Sequence, residues 1–272
     1  MISTLSGRGM LPVMAFCLTV AAQMAAGSAA AQGRPPAEWS FMLGGGALYA
    51  PDYEGSNDYK VLPVPIVELS WRDRVRLTTR GGPAIYASPF MTDSLKVELG
   101  VRYDFGRDQD DNDALKGLGD IEGGAVAVAR LGYEVGPVDL GLEVARDLGG
   151  DRDGLMARAE AEYAIRLLDG RARFSVTPHV TWADDNYMGS SFGITAAQAA
   201  RSARRYARYD AEGGFKDAGI AVGIGYTITD SIHAMGRIGY QRLLGDAADS
   251  PLVKREGSPD QFSGLLGLSY RW

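Results

Sequence analysis

Four stretches of the chain hold side chains able to do chemistry. In "PDYEGSNDYK", Asp52, Glu54 and Asp58 stand beside Tyr53 and Ser56, a set that suits either a ligand or partner site or a compact polar turn pinned by local hydrogen bonds. In "DQDDND", Asp108, Asp110, Asp111 and Asp113 offer the hard oxygens that Ca²⁺ or Mg²⁺ take. The loop glycine and the closing glutamate of an EF-hand are missing, so a solvated acidic loop is the better reading. His179 precedes Asp184 and Asp185, and an Asp/His pair that activates water can be drawn from them. "ITAAQAARSARRYARY" reads as one short helix over 195–209 with Thr195 as N-cap, and it puts Arg201, Arg204, Arg205 and Arg208 at helical spacing. Those arginines suit anionic lipid head groups, or an inward fold onto Glu98, Glu143 and Glu160, which is favoured.

The elements that must position these groups alternate. In "SLKVELGVRYDF", Leu95, Val97, Leu99, Val101, Tyr103 and Phe105 share one face, and Lys96, Glu98, Arg102 and Asp104 the other. "RARFSVTPHVTW", "VDLGLEVARD", "LMARAEAEYAIRLL", "DAGIAVGIGYTIT" and "SIHAMGRIGY" repeat the pattern. Period two sustained over about ten residues is the strand signal. Both histidines, His179 and His233, fall on the polar faces, where a hydrogen-bonded network accounts for them without catalysis. No enzyme activity, metal or cofactor is expected.

The connectors are unequal. Tight turns at 135–138, 168–171 and 229–231 alternate with long polar loops at 105–120, 183–214 and 244–261. A soluble sandwich shares the strand parity. Aromatic residues decide against it: Tyr103, Phe105, Tyr133, Tyr163, Trp182, Tyr226, Tyr240, Tyr270 and Trp272 lie near strand ends on the apolar face, as the girdles of a transmembrane β-barrel do. Candidate strands number eleven, whereas a bacterial barrel of one chain needs an even number. A hidden turn at Gly81-Gly82-Pro83 makes twelve, with ten as the alternative. Pro63 and Pro65 each lack a ladder donor, so the segment after the acidic turn is an edge, a bulge or an in-folded piece.

Residues 1–31 read as an export signal. An apolar run after Arg8 leads into "SAAAQ", and Ala29-x-Ala31 places cleavage before Gln32. The run is too short for a dependable spanning helix, and Cys17 leaves with it. The expected mature domain, 32–272, carries 28 − 1 = 27 basic and 34 acidic residues, which argues against nucleic acid as a partner. The polar faces interleave Lys96, Arg102, Arg130, Arg158, Arg166, Arg171 and Arg173 with Glu98, Asp104, Glu134, Asp139, Glu143, Glu160 and Glu162. Such side chains meet and pair across a lumen of this size, which excludes a wide open pore.

"GALYAPDYEGSNDYKVLPVP", "YDFGRDQDDNDALKGLGDIEG", "DDNYMGSSFGITAAQAARS" and "RLLGDAADSPLVKREGSPDQFSGLLGLSYRW" resemble the MipA/OmpV family of outer-membrane proteins, in the family's order. "ARRYARYDAEGG" is more arginine-rich than the family pattern. The resemblance implies a closed barrel in the bacterial outer membrane, in contact with lipid and lipopolysaccharide and inserted by the barrel assembly machinery. It also implies, from one member, a scaffold joining a murein lytic transglycosylase (MltA) to a bifunctional murein synthase; other members are surface antigens or adhesins. The terminal "SYRW" resembles the C-terminal assembly signal of such barrels, with Tyr270 and Trp272 outward and Trp where Phe is usual. The expectation is therefore an all-β transmembrane antiparallel barrel that binds or scaffolds. Asp52, Tyr53, Glu54, Ser56, Asp58 and the four arginines are its candidate binding residues, and a narrow solute channel, an adhesin and a barrel hydrolase are the alternatives.

Overall fold

The alternating segments fold into twelve antiparallel strands in a computed structural model that describes residues 38–149 and 152–272; the segment read as an export signal lies outside the described residues. The strands are β1 Trp39–Pro51, β2 Tyr59–Trp71, β3 Val75–Thr78, β4 Ala84–Met91, β5 Leu95–Asp104, β6 Gly124–Val135, β7 Val138–Asp147, β8 Leu155–Leu167, β9 Ala172–Ala183, β10 Gly214–Thr227, β11 Ile232–Leu243 and β12 Asp260–Arg271. Each pairs with its neighbours in sequence, and β12 closes onto β1 from Met42↔Arg271 to Tyr49↔Gly264. Closure matters because lipid offers no partner for a free backbone N–H or C=O. The turn at Gly81-Gly82-Pro83 is present, with both glycines at positive φ (87° and 100°), and it separates β3 from β4. Twelve strands replace the alternative of ten.

The outward face is an apolar band. Ile238, Leu266, Leu99, Leu140 and Ile224 are exposed round the ring, a surface that would aggregate in water and is solvated by acyl chains in a membrane. Aromatic residues ring it at both ends. Trp39 lies against Trp71 and Phe41 against Trp272 at the end that holds the strand-to-strand turns, while Tyr49 stacks on Tyr59 and Tyr240 meets Phe262 at the other. Trp272 also donates its backbone N–H to the Phe41 carbonyl (3.0 Å), so the chain's last residue is tied to β1. Phe105 departs from the predicted girdle. It lies just beyond β5 and packs against the interior cluster of Leu48, Ala50 and Val64, while Tyr103, its edge-to-face neighbour, faces outward.

Pro63 and Pro65 sit in β2 without loss of a ladder bond. β3 pairs with β2 only over Glu68–Trp71. Just above, Val67 donates to Thr79 Oγ1 (2.9 Å), and that hydroxyl donates to the Pro65 carbonyl (2.8 Å), so odd-numbered residues of β2 turn their polar groups toward β3. Pro63 and Pro65 are on that same side, above the reach of β3. On its other side β2 pairs with β1 along its full length. The prolines thus mark an edge, as their missing donors require.

Short turns at 72–74, 92–94, 136–137, 168–171 and 228–231 share one end with both termini of the strand ring; the opposite end carries connections at 52–58, 79–83, 105–123, 148–154, 184–213 and 244–259. These loops hold four helices, α1 Asp185–Phe192, α2 Ala196–Arg201, α3 Gly245–Asp249 and α4 Pro251–Glu256, where the sequence indicated one. Thr195 does cap α2, in a reciprocal box with Gln198. The helix stops at Arg201, short of the predicted 209. Arg255 donates to the carbonyls of Arg204 (3.1 Å) and Arg205 (3.2 Å), which a longer helix would need internally, and Arg205 takes a positive φ of 53°.

The seam between β1 and β12 makes a testable demand on size. A Cβ at inward Gly44 would lie 2.6 Å from Ser269 Cα, whereas one at outward Gly45 meets nothing nearer than 3.9 Å. Gly44→Val should abolish the fast-migrating folded form in unheated gel samples, and Gly45→Val should retain it; equal folding of both would show that the seam tolerates a side chain.

Candidate functional site

The loops at the long-loop end are not solvated strings. Tyr53, Ala114, Leu115, Leu118, Ile194, Tyr206 and Leu252 bury together, and Tyr187, Met188, Phe192, Leu243, Ala247 and Val253 form a second cluster with Ala183 and Ala211. Each large side chain so buried contributes about 1.5–3 kcal/mol. Four separate connections are thereby fused into one cap over the barrel mouth.

The segment 52–58 is where the cap meets the barrel, and each of its predicted residues has a distinct job. Asp52 and Asp58 both accept from Asn112 Nδ2, at 3.1 and 3.0 Å, and so fasten the loop to 105–123. Ser56 Oγ accepts from the Asp58 N–H (3.0 Å), and its carbonyl accepts from Gln261 (3.0 Å) at the start of β12. Gly55, at φ 95°, supplies the turn and sits against Val253 with no room for a Cβ. Tyr53 goes into the apolar cluster. Glu54 alone points into the barrel, where it accepts from Tyr187 Oη (3.1 Å) and pairs with Lys216.

Lys216 reaches Glu54 because β10 is irregular. The register with β9 slips between Phe215 and Asp217, making Lys216 the extra residue of a bulge, and both Lys216 and Asp217 are buried. Strict alternation would send Lys216 into lipid. Its ammonium also lies 2.7 Å from Asp217, which accepts from Thr181 (2.9 Å) and stands 3.4 Å from His179 Nε2. Below this knot the lumen pairs charges across and along strands: Glu143 takes Arg130 (2.6 Å) and Arg102 (3.0 Å), Glu98 takes Arg76 (3.1 Å) and Lys96 (3.0 Å), and Glu162 takes Arg173. Under the cap, side-chain exposure is 2% at Asp217 and 6% at Lys216; near the short turns Asp139 and Lys96 are 27% and 40% exposed, while Glu162, Ser175 and Ser269 at that end stay buried. The interior is closed under the cap.

Several predicted placements are corrected. Glu54, read from the sequence as part of a turn pinned by local hydrogen bonds, instead takes distant partners, Lys216 and Tyr187. Arg201, Arg204, Arg205 and Arg208 do not enter the lumen onto Glu98, Glu143 and Glu160, because strand cations already hold those acids. Arg204 instead pairs with Glu256 (3.6 Å) and Arg208 with Asp210 (2.8 Å), and all four arginines are exposed on the cap. His179 pairs with Asp217 and not with Asp184 or Asp185. Asp184 caps α1 by accepting from Tyr187 N (2.9 Å), and Asp185 accepts from Gly213 N (2.5 Å). In the acidic loop, Asp108 and Asn112 cap short 3₁₀ turns, and among the described residues no group of carboxylates gathers to hold a metal. Lys216, Tyr187 and Asn112 are the site residues that sequence reasoning missed. The one signal was the consecutive "KD" that breaks period two at the start of β10.

Burial tunes the cap's ionisable groups. Arg107 donates to the Ser191 carbonyl (3.0 Å) and is pulled down to about 10, by burial first and then by the like charge of Arg152. Burial and then Glu54 hold the Tyr187 phenol above its ordinary range. Tyr206 and Tyr209 are pushed up to about 12, by burial and then by Glu256 and Asp246 respectively.

The family model described as "MltA-interacting protein MipA" matches residues 43–272. No curated protein matches the chain. Among solved structures the chain is similar to the NanC porin (12% identity, TM-score 0.42, 85% of this chain and 98% of that one). It is also similar to OprD of Pseudomonas aeruginosa (12%, 0.35, 86% and 59%), of whose length it spans about three fifths, and to OmpT of Vibrio cholerae (8%, 0.34, 86% and 98%).

Two outcomes follow for the cap. Glu54→Ala leaves Lys216 with Asp217 and should cost about 1–3 kcal/mol, while Lys216→Met strands Glu54 and Asp217 together and should cost about 3–5 kcal/mol; the temperature at which the folded gel form disappears ranks them, and the reverse order would sink the assignment. Tyrosines whose folded pKa is raised stabilise fully below the unfolded value of 10.0, and that stability is lost as pH climbs through about 12. The segment 184–213 should therefore become protease-sensitive between pH 10 and 12, and less steeply so in Tyr206→Phe.

Proposed function

This chain belongs to the MipA family, and from that premise we propose that it is an outer-membrane barrel that works by binding, without catalysis or bulk passage of solutes, and that murein enzymes dock on its short-turn end. The observation that carries this reading is the sealed mouth. Two apolar clusters fuse the loops, the Glu54–Lys216–Asp217 knot fastens them to the wall, and paired charges cross the lumen below. Long loops of such barrels face outward and short turns face the periplasm, where murein lies. A murein lytic transglycosylase and a bifunctional synthase are thus assigned to the turns, and the exposed arginines of 201–208 to lipopolysaccharide phosphates. Tyr270 and Trp272, tied to β1 through Phe41, are proposed as the signal read by the assembly machinery.

A photo-cross-linking residue at Asp93 or Asp230, in the short turns, should capture a murein lytic transglycosylase identified by mass spectrometry, and the same residue at Arg205 on the cap should not. In planar bilayers the intact barrel should give no porin-sized steps. Capture at Arg205 alone would place the partner outside, and large steady conductance would make the protein a channel.

A further inference from the structure

Arg237 stands outside the pairing scheme of the lumen. Arg237 is on β11, facing inward, with Gly223 of β10 and Leu265 of β12 as its register partners, neither of which offers a side-chain acceptor. Both its Nη atoms are buried, and neither has a hydrogen-bond partner among the described residues. Of the carboxylates nearby, Glu162 takes Arg173, and Glu160 lies 3.5 Å from Arg158, a separation that leaves Arg158 Nε and Nη2 and Glu160 Oε2 all without a hydrogen bond. Arg158 and Arg237 both lie close enough to Glu160 to feel its charge, so the unused donors of two strands converge on one region of the wall.

We propose that Arg237 and Arg158 form a binding site for a small oxyanion, a carboxylate or a phosphate group, held in a blind pit of the lumen. A buried guanidinium without acceptors is costly, and a planar fork of N–H groups is best satisfied by two oxygens of one anion. Entry is from the short-turn end, because the cap closes the other. The site adds a soluble ligand to the binding role and stands whether or not a murein enzyme docks.

The test uses the purified full barrel and the temperature at which the folded gel form is lost, measured with inorganic phosphate, with acetate and with chloride at matched ionic strength. Phosphate, and acetate more weakly, should raise that temperature saturably, and chloride should not. Arg237→Met should lose the response and, without ligand, should unfold at a higher temperature than the parent, since buried donors without acceptors are gone. Arg237→Lys, which keeps the charge without the fork, should need about tenfold more phosphate for half the effect. Chloride acting as phosphate does would mean an adventitious ion only. A retained response in Arg237→Met, or a ligand-free Arg237→Met that unfolds earlier or fails to fold, would make the arginine structural and overturn the site.

Discussion

A buried ammonium decides how the two halves of this molecule fit together. Lys216 is turned inward by one inserted residue in β10, and once inside a low-dielectric wall it must have anions within reach. Asp217 provides one from the same strand. Glu54 provides the other from the far side of the mouth, so the loop that carries Glu54 is drawn down over the opening. The rest of the cap is consistent with that position: Tyr53, beside the anchored Glu54, enters the apolar cluster, and Asn112 bridges Asp52 and Asp58 where the loop meets 105–123. The cap is in this sense an answer to the desolvation of one side chain.

The wall was legible in the sequence and the cap was not, for a physical reason. Each strand lies between two uniform media, acyl chains outside and a polar lumen inside, so every second residue reports its side independently of what it touches; Leu99 beside Glu98 and Ile220 beside Gly219 need no partner to be read. Even the concealed turn between β3 and β4 announced itself through Gly81-Gly82-Pro83. The cap residues have no such medium. Leu115, Ile194 and Leu252 are buried because each finds the others across long stretches of chain, and no local pattern encodes that meeting. The arginine-rich segment shows the failure most clearly. Its spacing suits a helix, but the carbonyls of Arg204 and Arg205 are claimed by Arg255, fifty residues away in sequence, and burial of Tyr206, whose hydroxyl donates to the Ala114 carbonyl (3.0 Å), turns the chain aside.

The same contrast governs the lumen. Listing which charges share the polar face was possible from parity alone, whereas their pairing depends on strand tilt, which brings Glu143 of β7 to Arg102 of β5 across the intervening β6. Pairing continues to the turn end, where Glu98 holds Arg76 and Lys96 and Glu162 holds Arg173. What distinguishes the other end is the apolar cap that closes it.

The short β3 gives the cylinder a mechanical weak line. A closed sheet resists widening because hydrogen bonds run round it like hoops, and the stiffness of each joint scales with the number of bonds that bridge it. The β2–β3 joint spans only Glu68–Trp71, while β1 and β2 pair from Trp39↔Trp71 to Pro51↔Tyr59. Above that short joint, Pro63 and Pro65 have no N–H with which to extend it, so it cannot lengthen by zipping upward. The joint of β3 to β4 is as short, from Val75↔Ala87 to Thr78↔Ala84, so lateral stress from the surrounding bilayer would concentrate on both sides of β3, and the barrel would yield at this one stave, breathing into an oval, while the longer joints and the cap they carry keep their shape.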